Sequence, residues 1–246
     1  MNEKTVSALR VFSLAARHLL EKEVGDQLEG VYGLLPDGAF ATADKYPAVQ
    51  NLSEAKETRG RLEQFMVDEA AAGLPTFDSR KKLLREASFT WLNRLVAFRM
   101  METRKLLRRV ISKPEDSNAF KLWLTEEENV DDLKKYEAGD LPQNNLGEGP
   151  RQEAYRHFIL WQCGELAKEI RVLFDPETLP SRLFPRPRAL AEIIEMMNSP
   201  ELEEAWQLGN EETIGWIYQF FNEEEKKDVF DRLYKKKQKI KKSNKK

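Results

Sequence analysis

The sequence predicts an all-α protein, a multi-helix bundle. Apolar residues recur at three- and four-residue steps over long windows, the signature of a helix with one buried face. Strict two-residue alternation over a strand length is hard to find. Glycine and proline gather in a few punctuating segments and leave the periodic stretches between them uninterrupted.

The elements follow in order. In residues 3–24, Val6, Leu9, Phe12, Ala16, Leu19 and Leu20 form an amphipathic stripe, and Gly25 is the expected stop. "GVYGLLPDGAFATADKYPAVQNL" (30–52) contains three glycines and two prolines and reads as an ordered loop, with a small β element placed near 30–42. Ser53 is the expected N-cap of a helix to about Ala72, with Glu57 and Arg61 on its polar side. "GLPTFDS" breaks that helix. Residues 79–112 are expected as the longest helix. Leu84, Ala87, Trp91, Leu95 and Phe98 share a face that Leu83, Leu92 and Val96 widen, which implies burial on more than one side. Pro114 is its expected terminator.

Residues 115–150 are acidic and then turn-rich. Pro150 suits the first turn of a helix running to about Phe174. Four prolines in "DPETLPSRLFPRPR" predict an extended connection. Short helices follow near 188–197 and 200–208. Then comes "ETIGWIYQFF", followed by Asn222 as cap of a last helix with Glu225 three residues on, as in a capping box. The organisation expected is an N-terminal helical subdomain (1–112), an acidic, turn-rich linker or exposed excursion (113–149), a C-terminal helical subdomain (150–234) and a basic tail (235–246).

Composition narrows the function classes. Apolar residues make up 41% and charged residues 33% of 246 residues, and no window approaches a membrane span, so no membrane partner is expected. The first twenty residues lack the apolar block and cleavage site of a secretion signal. Cys163 is the only cysteine, so no internal disulfide framework can form, and a cytoplasmic location is expected. Removing the eight lysines of "KKKQKIKKSNKK" from 40 basic residues leaves 32 against 42 acidic ones, a formal charge of −10. Attraction to nucleic acid must therefore be local.

Chemistry-bearing motifs are sparse. Two histidines and one cysteine cannot build a His/Cys zinc site. His157 and Cys163 lie on different helix faces, and a buried inert thiol is the ordinary reading of Cys163. "GEGPRQ" (147–152) lacks the third glycine and the preceding strand of a phosphate loop. Asp37, Glu54 and Lys56 match on paper the Pro-Asp…Glu-x-Lys arrangement of Mg²⁺-dependent nucleases, in which two acids hold the metal. Here Ser53-Glu54 reads as a helix start and Asp37-Gly38 as a turn.

Basic residues cluster twice. Arg80, Lys81, Lys82 and Arg85 stand at the start of the long helix, where cations oppose its dipole and so want an anionic partner. They are the candidate contacts to a DNA backbone, with Lys235, Lys236 and Lys237 of the tail. Arg104, Lys105, Arg108 and Arg109 are expected at the C-terminal end, where the dipole alone accounts for them. Asn93 and Arg94 suggest a partly buried polar contact. Trp91, Trp216, Tyr218, Phe220 and Phe221 are the core or docking candidates.

Two segments carry a more specific signal. "EASFTWLNRLVAFRMMETR" (86–104) and "ETIGWIYQFFNEEEKKDVF" (212–230) closely resemble the N-terminal region of the PglX family, and "QLEGVYGLLPDGAF" (27–40) fits the same family's early loop. These are adenine-specific DNA methyltransferases of BREX phage-defence systems, related to methylase–specificity fusion enzymes. The resemblance implies a helical N-terminal domain that braces a catalytic domain using S-adenosylmethionine, with the aromatic cluster as core and seat. The lysines of 235–246 would begin the linker to that domain. It implies as partners the protein's own methyltransferase domain, double-stranded DNA and other BREX components. The catalytic Asn/Asp-Pro-Pro-aromatic loop and a cofactor-binding glycine loop are absent from residues 1–246. The expectation is a chain with no catalytic, cofactor-binding or metal residues, inactive alone. The rival expectations are a protein-interaction module that never meets DNA, and the nuclease.

Overall fold

A computed structural model describes residues 1–227. Among these residues the protein is all helical, and the β element expected near 30–42 reduces to one antiparallel bridge, Leu34 with Phe40. Helix α1 (Glu3–Gly30) opens with Asn2, whose side chain accepts from the Thr5 N–H at 2.9 Å. It does not stop at Gly25. Val24, Gln27 and Leu28 continue its buried stripe. Burying a leucine gains ~2 kcal/mol, which outweighs the ~1 kcal/mol cost of a helical glycine.

The chain then turns through Gly33 and Gly38, both at positive φ. A Cβ on Gly38 would sit 2.5 Å from the Thr76 carbonyl oxygen, so glycine is required by space as well as by backbone. Helix α2 (Pro47–Asn51) precedes α3 (Ser53–Ala71). Ser53 is the first residue of α3 rather than its cap. Leu52 holds the cap position without a side-chain bond.

Helix α4 (Thr76–Thr103) starts earlier and ends nine residues earlier than the sequence suggests. Its terminator is not Pro114. Lys105 adopts φ +59°, and the buried Glu102 carboxylate gathers the backbone N–H groups of Val110, Ile111 and Ser112. One charged acceptor thus folds the following turn back onto the helix end. Apolar patterning does not encode that contact.

Residues 113–149, expected as a linker, contain α5 (Asn118–Leu124) and α6 (Val130–Ala138). Phe120, Trp123 and Leu124 are buried in the main core, while Glu126, Glu127 and Glu128 beside them are exposed. Helix α7 (Pro150–Ala167) begins at the expected proline. It yields to α8 (Arg171–Phe174), which turns Phe174 onto Phe98, ring centroids 5.5 Å apart. The proline-rich connection holds α9 (Leu179–Arg182), followed by α10 (Pro187–Met197), α11 (Glu203–Trp206) and α12 (Thr213–Phe221).

Two apolar clusters result. The larger joins Leu9, Phe12 and Leu20 of α1 to Trp91, Leu95 and Phe98 of α4, Phe158 of α7, Ile193 of α10, Trp206 of α11, and Ile217 and Phe221 of α12. The smaller joins Val24 and Leu28 of α1 to Leu62 and Met66 of α3, Leu83 and Ala87 of α4, and Leu183. Both long helices contribute to both clusters. Trp206 is fully buried, edge-on to Phe12, and donates its indole N–H to the Met197 carbonyl at 3.0 Å. Arg94 is buried at 1% exposure. It donates to the carbonyls of Leu173 (2.7 Å) and Asp175 (2.8 Å), tying α4 to the α8–α9 connection. This is the buried polar contact expected at Asn93–Arg94.

Candidate functional site

The aromatic run of α12 divides by helix geometry. Thr213, Ile217, Phe220 and Phe221 face inward, Trp216 is half-buried, and Tyr218 is 55% exposed. Arg17 of α1 reaches under the helix end and donates to the Phe221 carbonyl at 2.5 Å and to Glu225 at 2.8 Å. Asn222 stands directly before the helical residues 223–227 and its carbonyl accepts from the Lys226 N–H at 3.1 Å, as expected of a cap position, but its side chain is turned away from that helix. Its amide donates back to the Tyr218 carbonyl at 2.7 Å, and its oxygen accepts from Arg85. A capping box would need the Asn222 oxygen and Glu225, and both are engaged by arginines.

Between this corner and the first half of α4 lies a cleft of 530 Å³ lined by Lys81, Lys82, Arg85, Phe89, Tyr218 and Asn222, with Asp78, Glu86 and Glu225. It brings together three of the four helix-start cations with one of the aromatic candidates. Phe89 meets Tyr218 edge-on at 5.6 Å. Lys82 pairs with Glu69 at 2.7 Å, and Arg85 lies 3.7 Å from Glu225. Three cations face three carboxylates, so the local field nearly cancels. Burial holds the Glu86 carboxyl above its usual range, against the pull of Lys82. Arg80 is not part of this cleft. It turns to the other side of α4, toward the Leu34 carbonyl and Gly25, where burial lowers its pKa. Trp91, Phe220 and Phe221 are core residues. Lys235, Lys236 and Lys237 lie outside the described residues.

The second basic run does not sit on a helix end as expected. Arg104 caps α4 and donates to the Gln207 carbonyl at 3.2 Å, but Lys105, Arg108 and Arg109 stand exposed on the turn anchored by Glu102. A cleft of 650 Å³ opens there, lined by Arg99, Lys105, Arg108, Arg109 and Ser112, with Glu102 and Glu203. Helix-dipole compensation therefore accounts for Arg104 alone.

A third constellation was not legible in the sequence. Arg156 of α7 is buried and holds Glu54 of α3 through two parallel bonds, 2.8 and 2.9 Å, while its Nε donates to the buried Glu148 at 3.0 Å. Burial pushes the Glu148 carboxyl up to about 7. Arg156 opposes this, but Glu54 already occupies the outer edge of the guanidinium, and Glu54 and Glu153 add negative charge nearby. The Glu54 carboxyl also meets a burial penalty, yet Arg156 holds it below its usual value.

That pairing removes the nuclease arrangement. Glu54 is consumed by Arg156, Asp37 accepts from its own turn at the Ala39 N–H (2.9 Å), and Lys56 is an exposed residue of α3. Among the described residues no group of three His, Cys, Asp or Glu side chains could hold a metal ion. His18 is exposed beside Glu224, and His157 is paired with Asp132 at 2.7 Å. Cys163 is fully buried, and burial pushes its thiol up to about 12. Among the described residues no helix is long and apolar enough to cross a membrane.

Comparison with known proteins places two relatives beside this geometry. Over 162 residues, 62% of the chain, it is 30% identical to the adenine-specific methyltransferase BrxX of Escherichia coli O9:H4 (strain HS). Over 247 aligned positions, 91% of the chain, it is 26% identical to the adenine-specific methyltransferase PglX of Lacticaseibacillus casei (strain Zhang). The chain spans 13% and 20% of these relatives' own lengths. No family model matches it, and no solved structure does.

Proposed function

We propose, from the premise that the chain is related to the BrxX and PglX adenine-specific methyltransferases, that it is a helical region which braces the catalytic part of such an enzyme. The whole protein would use S-adenosylmethionine to methylate adenine in double-stranded DNA, within a BREX-type phage-defence system. In that setting these residues would contribute rigidity and a docking seat, and the reacting groups would belong to other parts of the protein.

The observation that supports this reading is the α4–α12 cleft. It combines an exposed tyrosine, a second aromatic ring and balanced charges within one concavity. Exposed aromatics ringed by paired charges are the chemistry of a protein interface, because tyrosine buries a large apolar area while its hydroxyl keeps a hydrogen bond. A phosphate cradle would need an excess of cations, which the three opposed carboxylates remove.

The test expresses the methyltransferase polypeptide of the same genome with and without these helices, supplied as wild type or as Phe89→Ala/Tyr218→Ala. The wild type is expected to co-purify with it and to raise methyl transfer from tritiated S-adenosylmethionine to duplex DNA. The double variant is expected to lose at least ~10-fold in association, as interface aromatics do. Equal co-purification and equal transfer with both versions would refute the seat.

A further inference from the structure

The cleft at the other end of α4 carries an excess of cations. Arg99, Lys105, Arg108 and Arg109 converge on 650 Å³, against Glu102 and Glu203. Glu102 is buried and its carboxylate is taken up by three backbone N–H groups, though its charge still acts on Arg99. Among the described residues, Lys105, Arg108 and Arg109 form no ion pair. Arg99 donates to the Thr103 hydroxyl at 2.7 Å, but its Nε is buried with no partner, and the Ser112 hydroxyl on the same cleft is likewise buried and unpartnered. Burial lowers the Arg99 pKa against the pull of Glu102 and Glu203, and the approach of Arg109 adds a smaller lowering. Such a group of cations is stabilised by an anion of several oxygens.

Shape narrows the anion. Lys105 adopts φ +59°, and the next residue, Leu106, stands 74% exposed on the turn between the flanking cations. A protruding apolar residue between arginines and a lysine suits a polymer with regularly spaced phosphates and a groove. We propose that the turn after α4 binds the phosphodiester backbone of duplex DNA through Arg99, Lys105, Arg108 and Arg109. This site lies roughly 30 Å along the helix from the α4–α12 cleft, at 1.5 Å per residue, and stands independently of the bracing reading.

The experiment is a fluorescence-anisotropy titration of a short labelled duplex with the full chain, carrying Gln in place of the eight lysines of 235–246. It is run at about 50 and about 200 mM salt. Four phosphate contacts predict a loss of affinity of about 100-fold between the two salts. Arg108→Glu/Arg109→Glu should bind at least ~10-fold more weakly at low salt, with a shallower dependence of about 10-fold between the salts. Arg108→Gln/Arg109→Gln, which adds no repulsion, should fall between the two. Lys81→Glu/Lys82→Glu should bind within about twofold of the parent, since its cleft is charge-balanced. Both arginines are exposed, and matching circular-dichroism melts establish that each variant is folded. Absence of binding by the parent at low salt would overturn the proposal. So would parental affinity in Arg108→Glu/Arg109→Glu, or an equal loss in Lys81→Glu/Lys82→Glu. None of these results touches co-purification through the other cleft, so the two readings fail separately.

Discussion

Arg156→Met should destabilise the protein by an amount that depends on pH. The guanidinium is 5% exposed and makes three charged bonds, two to Glu54 and one to Glu148, itself 4% exposed. Methionine fills much of the volume but leaves Glu148 buried without its cation. Removing one partner of a buried pair costs about 3–5 kcal/mol when the other stays charged. Glu148 has an escape, because its carboxyl already titrates near about 7 and rises further once Arg156 is gone. Below that range it takes up a proton, and only lost hydrogen bonds and packing remain, about 1–2 kcal/mol.

The assay is urea unfolding followed by far-ultraviolet circular dichroism at about pH 5.5 and about pH 8. At the higher pH the loss should be about 3 kcal/mol, the lost bonds plus at most about 1.4 kcal/mol for the proton that the variant keeps above pH 7, or roughly 8 °C in Tm for a chain of this size. At the lower pH only the lost bonds and packing remain, about 1–2 kcal/mol. Arg156→Met/Glu148→Gln should recover most of the loss at the higher pH. The wild type carries the same signature in milder form. Glu148 titrates at about 7 when folded against 4.5 for an ordinary glutamate. Its contribution is therefore fully present below 4.5 and is lost as pH rises through about 7. Glu148→Gln should flatten that slope. An equal loss at both pH values, or a double variant no more stable than the single one, would refute the reasoning.

Three further outcomes follow from contacts elsewhere. Gly38→Ala should cost about 2–4 kcal/mol, combining a left-handed backbone with a clash against the Thr76 carbonyl. Gly73→Ala, also left-handed but with open space around its Cβ, should cost only about 1–2 kcal/mol, and paired thermal melts compare the two. Glu102→Gln should weaken the fold by about 1–3 kcal/mol and speed amide hydrogen exchange at Val110 and Ile111, whose N–H groups lose a charged acceptor. Cys163 should react with a thiol-specific disulfide reagent only on unfolding, since burial holds the thiol protonated, and native-state reaction at the rate of a free thiol would contradict its placement.

The helices were legible where one periodic stripe feeds a core. Leu9, Phe12, Ala16 and Leu20, and Trp91, Leu95 and Phe98, are buried as their spacing predicts. Boundaries failed where a tertiary contact outweighed a local signal. Leu28 carried α1 through Gly25, and Glu102 ended α4 well before Pro114. The acidity of 113–149 concealed Phe120 and Trp123, because charge count says nothing about which face of a short helix is buried. Of the site residues, Lys81, Lys82 and Arg85 share one cleft with Tyr218, a juxtaposition that their separation in sequence conceals. Arg156 and Glu148 escaped notice because their significance depends on Glu54, which is 102 positions from Arg156 in sequence. Lys105, Arg108 and Arg109 continue the helical pattern in sequence, but α4 stops short of them at Thr103.

Helices α1 and α4 each belong to two cores: Leu9–Leu20 and Trp91–Phe98 to one, Val24–Leu28 and Leu83–Ala87 to the other. Neither core can melt while the other persists unless both helices break near their middles, at a loss of several backbone hydrogen bonds. The pair therefore works as a beam clamped at both ends. Load applied at the Tyr218 corner passes along α4 to the Glu102 turn as a displacement of the whole rod instead of dissipating in a hinge.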